Sequence, residues 1–317
     1  MQERAALLLI STFAFSASLS PPASLSQLPG SAAQTGLRAS SHSCRMPMRP
    51  DAHIDAADLA KAAAIISGAR RLVVFTGAGM SADSGIATFR KSANSLWAGI
   101  RGTLGLAYFG TPIGWKLTPG LAWRLYLSEF FAPIAAAEPH AGYAALARLE
   151  EARFSSHDCT VVTMNVDSLH RQAGSANVVQ VHGTVDRVFC TRCSTRRDLP
   201  HDLGGDVSAL KRWRCLHCGG RLRPDVVLFT ESLPAEQWRA ATSACGSLTA
   251  QDCLLVVGTS GGVYPAAGLP EAAIAAGVPV VEINMDPSPI SSHIACYIRG
   301  RAAAVLPQLV DAVLAYN

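Results

Sequence analysis

Within the stretch VHGTVDRVFCTRCSTRRDLPHDLGGDVSALKRWRCLHC (181–218), two kinds of chemistry lie close together. Cys190 and Cys193 form one C-x-x-C pair and Cys215 and Cys218 a second, with 21 residues between the pairs. That spacing suits four thiolates around a tetrahedral zinc. A full set of protein ligands leaves no open coordination position, so the metal is expected to be structural. His217, between two of these ligands, is a competing donor that the thiolate pairs do not need. His182, eight residues before the first cysteine, then stays outside the metal set. Its near-neutral intrinsic pKa suits a general base at working pH; the plain alternative is a satisfied core histidine at a strand end.

A second candidate follows the apolar run RLVVFT (71–76), which leads directly into GAGMSADSGIATFR (77–90). Gly77 and Gly79 would let backbone approach a pyrophosphate, and the small residues after them could open a helix whose N-terminal N–H groups and dipole bind it. The third glycine, Gly85, comes six residues after Gly79 rather than the three of the ordinary dinucleotide fingerprint. Glycine spacing alone therefore leaves a tight structural turn open. Asn165 and Asp167, in N-x-D, read by themselves as ordinary strand-end capping.

These residues need elements to hold them. The runs 71–76, 159–165, 178–183, 226–229, 253–258 and 278–284 are nearly all apolar, as in parallel strands buried on both faces. Between them, DAADLAKAAAIISGA, HAGYAALARLEEA, PAEQWRAATSACGSL and PEAAIAAG have the apolar spacing of helices packed on a sheet. The expected fold is α/β, a doubly wound, Rossmann-like parallel sheet. Two segments break the alternation: 91 to about 137, with Trp97, Trp115 and Trp123 among Gly and Pro, and 184 to about 222, which holds the cysteine pairs. Both read as insertions that form a smaller helical and zinc-binding module within a domain spanning 51–317.

A net charge of +4 over 317 residues is small, which argues against nucleic acid as a direct partner. Nine cysteines, five of them scattered through apolar surroundings, argue against a disulfide framework and for a reducing compartment. Residues 1–50 are rich in Ser, Ala and Pro with Glu3 as their only acid, and read as a targeting or disordered leader, a transit peptide. The apolar run from Ala5 to about Leu19 is too short and too interrupted by polar residues for a membrane span. A secretory segment, a plastid leader and a mitochondrial presequence share these features; reduced cysteines favour an organelle matrix or stroma. Translation from Met46 or Met48 would instead leave a cytoplasmic protein.

GAGMSADSGIATFR resembles the GAG-x-S-x-x-SGIP-x-FR signature of the sirtuins, NAD-dependent protein deacylases. TMNVDSLHRQAG (163–174), VHG (181–183), RPDVVLFTE (223–231), GTS (258–260) and INMD (283–286) are similar to further sirtuin motifs in the family's order, over about residues 60–308. The resemblance implies that NAD is co-substrate and acyl-lysine proteins are the partners. His182, Asn165 and Asp167 would be catalytic. The histidine would activate a ribose hydroxyl after the acyl oxygen has attacked the ribose, giving free lysine, nicotinamide and O-acyl-ADP-ribose. Gly77, Ala78 and Gly79 would line the pyrophosphate. Ser81, Ile86, Phe89, Arg90, Met164, Asn165, Val166 and Asp167 would surround the nicotinamide half. The adenosine half would be met by Gly258, Thr259, Ser260, Asn284, Met285 and Asp286, with Cys296 closing over the adenine.

Val227 and Phe229 would pair with the substrate backbone, and Tyr126 would border the acyl chain. Sirtuins that prefer acidic acyl chains carry Y-x-x-R, whereas Glu129 stands three residues after Tyr126. A neutral acyl group, acetyl or longer, is therefore expected. Three departures bear on efficiency: Met164 for Gln, Ala87 and Thr88 for Pro and Asp, and Thr230 for Gly. Two other activities stay open: mono-ADP-ribosyl transfer, which would use the same NAD cleft, and a weakly active NAD-binding regulatory module, to which Met164 points.

Overall fold

A computed structural model describes residues 54–88, 110–155, 157–199 and 214–316. The leader at 1–50, Phe89, Arg90 and Trp97 lie outside the described residues.

The larger sheet contains β1 (Leu72–Thr76), β2 (Cys159–Thr163), β3 (Val178–Gln180), β7 (Cys253–Val257), β8 (Val280–Asn284) and β9 (Cys296–Arg299). Their order is β3-β2-β1-β7-β8-β9, and every neighbouring pair is parallel. The chain thus winds outward from β1 to one edge and returns to β7 beside β1 before winding to the other. The order reverses between β1 and β7, where a doubly wound sheet opens a crevice at its carboxyl edge.

Alternation along the strands explains why both faces are covered. Leu72 and Val74 with Cys253, Leu255 and Val257 join one apolar cluster, while Val73 and Phe75 with Leu254 and Val256 join another. The first is closed by three helices: α1 (Ala56–Gly68), α2 (Ala141–Arg153) and α5 (Ala302–Leu314). The second is closed by α3 (Ala235–Gly246) and α4 (Gly268–Ala275). Asp55 accepts from the Ala57 N–H to cap α1, and Ala62, Ala63 and Ile66 are its buried stripe. No helix among the described residues is long and apolar enough to cross a membrane.

The smaller sheet is antiparallel: β5 (Arg196–Asp198), β4 (Gly183–Cys190) and β6 (Leu222–Val226), in that order. Trp115, Trp123, Tyr126 and Phe131 from the helical insertion share a core with Val185, Val188, Leu199 and Leu222 from this sheet. The two insertions therefore pack on each other.

Two expected strands end differently. The run 178–183 leaves the large sheet after Gln180, because Gly183 (φ 80°) turns the chain into β4. A Cβ there would lie 2.1 Å from Asp225 O. The run 226–229 is not a strand of the parallel sheet: Val226 closes β6, and Phe229 is 51% exposed. Four apolar residues carry no period that separates the two outcomes. The strand β9 and the helix α5 complete the sheet and its cover without having been read from the sequence.

Candidate functional site

The crevice begins where two turns meet. Gly77 N–H donates to Val257 O and Gly79 N–H to Gly258 O. A Cβ on Gly77 would lie 2.9 Å from Gly258 O, and one on Gly79 only 2.7 Å from Gly258 Cα. These glycines therefore serve the close packing of the β1 turn on the β7 turn, and their N–H groups are already committed to protein carbonyls. The helix after Gly77 is a single turn, Ala78–Ser81. Ala78 sits between the two committed glycines.

Ser81, buried to 1% exposure, is the hub of the polar cluster. It donates to Asp167 Oδ2 (2.7 Å) and accepts from Asn165 Nδ2 (2.8 Å). Asn165 gives its other amide proton to Gly77 O at 2.9 Å. With both protons spent, Oδ1 is the atom left to accept from a ligand. Asp167 Oδ1 also accepts from Leu169 N–H. Burial pushes the Asp167 carboxyl above its usual range, against the opposing pull of its hydrogen bonds with Ser81 and Leu169. Beneath the cluster, Thr76 donates to Thr163 (2.8 Å), and Thr163 accepts the Asn165 backbone N–H (3.0 Å).

His182 lies in the bend between β3 and β4, the seam of the two sheets. Its Nδ1 is 2.8 Å from Met164 O. A carbonyl only accepts, so Nδ1 carries the proton and Nε2 keeps the lone pair of a base. Burial holds its pKa below the usual imidazole value, partly offset by that hydrogen bond. Met164 contributes through its backbone, with N–H on Thr76 O, while its side chain packs on the apolar cluster of Val162 and Val181. Ile86 and Val166 are half-buried on the core of the small module.

At the far end of the crevice, Gly258 (φ 62°) and Thr259 make the β7 turn. Asn284 Nδ2 donates to Thr259 O at 2.6 Å and its Oδ1 accepts from Met285 N–H, tying the β8 end to that turn. Ser260, Met285 and Asp286 are exposed there.

Two expected contacts are corrected and a third is narrowed. Cys296 is 4% exposed in the core, at the amino end of β9 beside Val281, with Sγ on Asp58 O. The residue that pairs with Asn284 at the carboxyl edge is Arg299, so Cys296 does not close over the crevice. Tyr126 is 1% exposed, packed among Trp115, Trp123, Phe130 and Phe131, and is a core residue. It opens a π-helical turn, Tyr126–Phe131, whose wider pitch takes the residue at i+3 away from the tyrosine's face; Glu129 is exposed and accepts from Ser128 Oγ. Finally, the N–H groups of Val227, Leu228 and Phe229 are committed to His182 O, Glu231 Oε2 and Gly110 O. A peptide beside this segment would meet its carbonyls.

The four cysteines converge as their spacing demands. Sγ separations are 3.4 Å for Cys190–Cys218, 3.6 Å for Cys193–Cys215 and 3.4 Å for Cys193–Cys218, and all four sulfurs lie within 4.8 Å of one another. A tetrahedron with Zn–S bonds of about 2.3 Å requires sulfurs roughly 3.8 Å apart, so the set fits zinc. Gly220 makes room: a Cβ there would lie 2.6 Å from Cys190 Sγ.

A reversed-order parallel sheet with half-buried Asn165 and buried Asp167 and Ser81 at its switch point and a metal module grafted at its edge defines a Rossmann-like nucleotide-binding protein. The Sir2 family profile matches residues 77–265, and the chain belongs to that family, the sirtuins. An NAD-dependent protein deacylase of Pyrococcus furiosus is 41% identical over 256 residues, covering 80% of this chain and 98% of its own. A crystal structure of a Sir2 homolog–NAD complex superposes with a TM-score of 0.68 at 33% identity, over 80% of this chain and 93% of the other. A Sir2–p53 peptide–NAD+ structure does so with a TM-score of 0.63 at 26% identity, over 78% and 95%.

Sequence reasoning missed Tyr143, His140, His170 and Gln180, which support the cluster from beneath or beside it. Tyr143 OH lies on Ser81 Oγ, His140 on Met80 O, His170 on Thr76 Oγ1, and Gln180 donates to Asp167 O. Only the position of Tyr143 on the apolar stripe of a predicted helix hinted that it points inward.

Proposed function

We propose that this protein is an NAD-dependent deacylase of acyl-lysine proteins that takes neutral acyl groups, with one structural zinc on Cys190, Cys193, Cys215 and Cys218. The observation that carries the reading is the convergence of Asn165, Asp167 and His182 at the carboxyl edge of one sheet, beside the β1–β7 switch point. When bound, NAD supplies the nicotinamide–ribose linkage whose cleavage creates the acyl acceptor. Asn165 Oδ1 and the remaining lone pairs of Asp167 accept from the carboxamide and orient it. His182 Nε2 takes a proton from a ribose hydroxyl, and Nδ1–H, anchored on Met164 O, fixes the ring while it does so. The zinc would tie the Cys190–Cys193 turn at the end of β4 to the Cys215–Cys218 turn that leads into β6, while the bend that presents His182 is held by the Val227 N–H on His182 O.

Neutral acyl groups are supported by the half-buried Ile86, Phe130 and Val166 on the small-module core and by the placement of Glu129 in solvent. The leader composition and the reduced thiols support an organelle matrix or stroma. Acetyl- and succinyl-lysine peptides, each incubated with NAD and followed by mass spectrometry, test the reading. O-acyl-ADP-ribose should form, with a higher kcat/KM for the acetyl peptide. Protein made heavier by ADP-ribose, NAD binding without turnover, or preference for succinyl would each refute the corresponding part.

A further inference from the structure

Tyr143 lies on α2, outside the strands and turns that supply the site. Its ring is fully buried, with the imidazoles of His140 and His170 at centroid distances of 4.7 Å and 4.8 Å. Its hydroxyl is 2.8 Å from Ser81 Oγ. Valence decides what that contact is. A hydroxyl has one proton and two acceptor positions. Ser81 gives its proton to Asp167 Oδ2, and the Asn165 amide N–H only donates, so Ser81 spends one lone pair on it. The second lone pair is the single place left for Tyr143, which must be the donor.

We infer that Tyr143 is a positioning residue for the nicotinamide-binding pair, acting through Ser81, an inference that rests on the proposed function. With Tyr143 donating, Ser81 is saturated, its rotor is fixed, and its proton is directed at Asp167. Donors in series also strengthen one another in a buried setting. Without Tyr143, Ser81 can turn, and both Asn165 and Asp167 lose a fixed partner.

The surroundings keep the phenol a donor. Burial, and then the charge of Asp167, push its pKa above the usual range, against the Ser81 hydrogen bond. The hydroxyl is hydrogen-bonded to Ser81 and to neither imidazole, although His170 Nδ1 is without a partner. His140 holds Met80 O with Nε2 and accepts Gly142 N–H with Nδ1. His170 faces Thr76 with Nε2, and burial lowers its pKa to about 3. Asp186 is the other carboxylate felt by Asp167.

The test is a double-mutant cycle, Tyr143→Phe with Ser81→Ala, read as the calorimetric Kd for NAD, which does not require turnover. Phenylalanine keeps the ring and its packing. Tyr143→Phe alone should weaken NAD binding about tenfold, and in the Ser81→Ala background less than about twofold. An equal loss in both backgrounds, or no loss in the first, overturns the inference. Wild-type protein that does not bind NAD would instead refute the proposed function, and this inference with it.

Discussion

The two sheets of this protein are held together by different physics. In the parallel sheet every side chain of Leu72–Thr76 and Cys253–Val257 is buried, and helices on both faces remove apolar surface from water at about 25 cal/mol per Å². The antiparallel sheet has three strands against six, and β5 has exposed Arg196 and Asp198. This smaller sheet shares an apolar core with the helical insertion and adds polar ties of its own. Asp225 pairs with Arg187 at 3.1 Å and Arg196 at 3.0 Å, Arg223 pairs with Glu231 at 2.7 Å, and four thiolates converge. The scaffold on one side of the crevice is thus stable through many small contributions, and the module on the other side adds one large one, the metal site, to its apolar core. His182 stands at the seam, so the proposed chemistry depends on both.

The largest expected effect follows from that asymmetry. Cys218→Ala removes one of four ligands, and structural zinc sites supply folding free energy on the order of 10 kcal/mol. Zinc content should fall, hydrogen exchange should rise across β4 and β6, and deacylation should be lost, while β1, β2, β7 and β8 keep their protection. Full activity in the metal-free variant, or unfolding of the parallel sheet together with the small one, would break the division drawn here.

His182→Ala probes the seam without touching either support. Loss of a general base lowers kcat by about 10²–10⁴-fold, with zinc content and melting temperature close to wild type. The working form of His182 is neutral, and falling pH protonates it. Burial holds its pKa below the ordinary value of 6.5, so in the wild type the acid limb of kcat should lie below that value. A limb above 6.5 would overturn His182 as the buried base, and loss of zinc in the alanine variant would show that the ring belongs to the metal module instead.

The same contrast explains what was legible in the sequence. Runs such as LLVV (254–257) show burial on both faces directly, because every residue is apolar, and C-x-x-C pairs reveal a metal site because ligand geometry dictates their spacing. What stayed hidden depends on contacts remote in sequence. Gly77 and Gly79 face another turn, Gly258–Thr259, which a local reading of a glycine-rich loop cannot supply. The register of β9, a strand too short to be read from the sequence, places Cys296 at the amino end of the sheet, away from the crevice. Tyr126 and Glu129 were read at helical spacing, which a π-helical turn does not keep. Tyr143 is hidden for a similar reason: on a helix stripe a tyrosine ring and a leucine look alike until the partner of the hydroxyl is known.

The smallest effect sharpens the comparison at the edge of the small module. Leu228 O accepts from Glu231 N–H at 3.0 Å, closing a four-residue turn in which Thr230 takes the third place with φ 75°. That place in such turns favours glycine, since a positive φ costs a β-branched side chain on the order of 1–3 kcal/mol. Thr230→Gly relieves this cost but gives the unfolded chain more freedom, worth about 0.4–1 kcal/mol in the opposite direction. Thr230 is exposed, so little packing is lost. The net expectation is a gain of roughly 0.5–1 kcal/mol, seen as a higher urea midpoint at unchanged m. The segment flanks the carbonyls of Val227–Phe229 proposed to meet the peptide, so KM for the acyl-lysine peptide should fall while kcat is unaffected. A lower urea midpoint would mean that the turn carries no strain at Thr230 and that the small module is already at its best there.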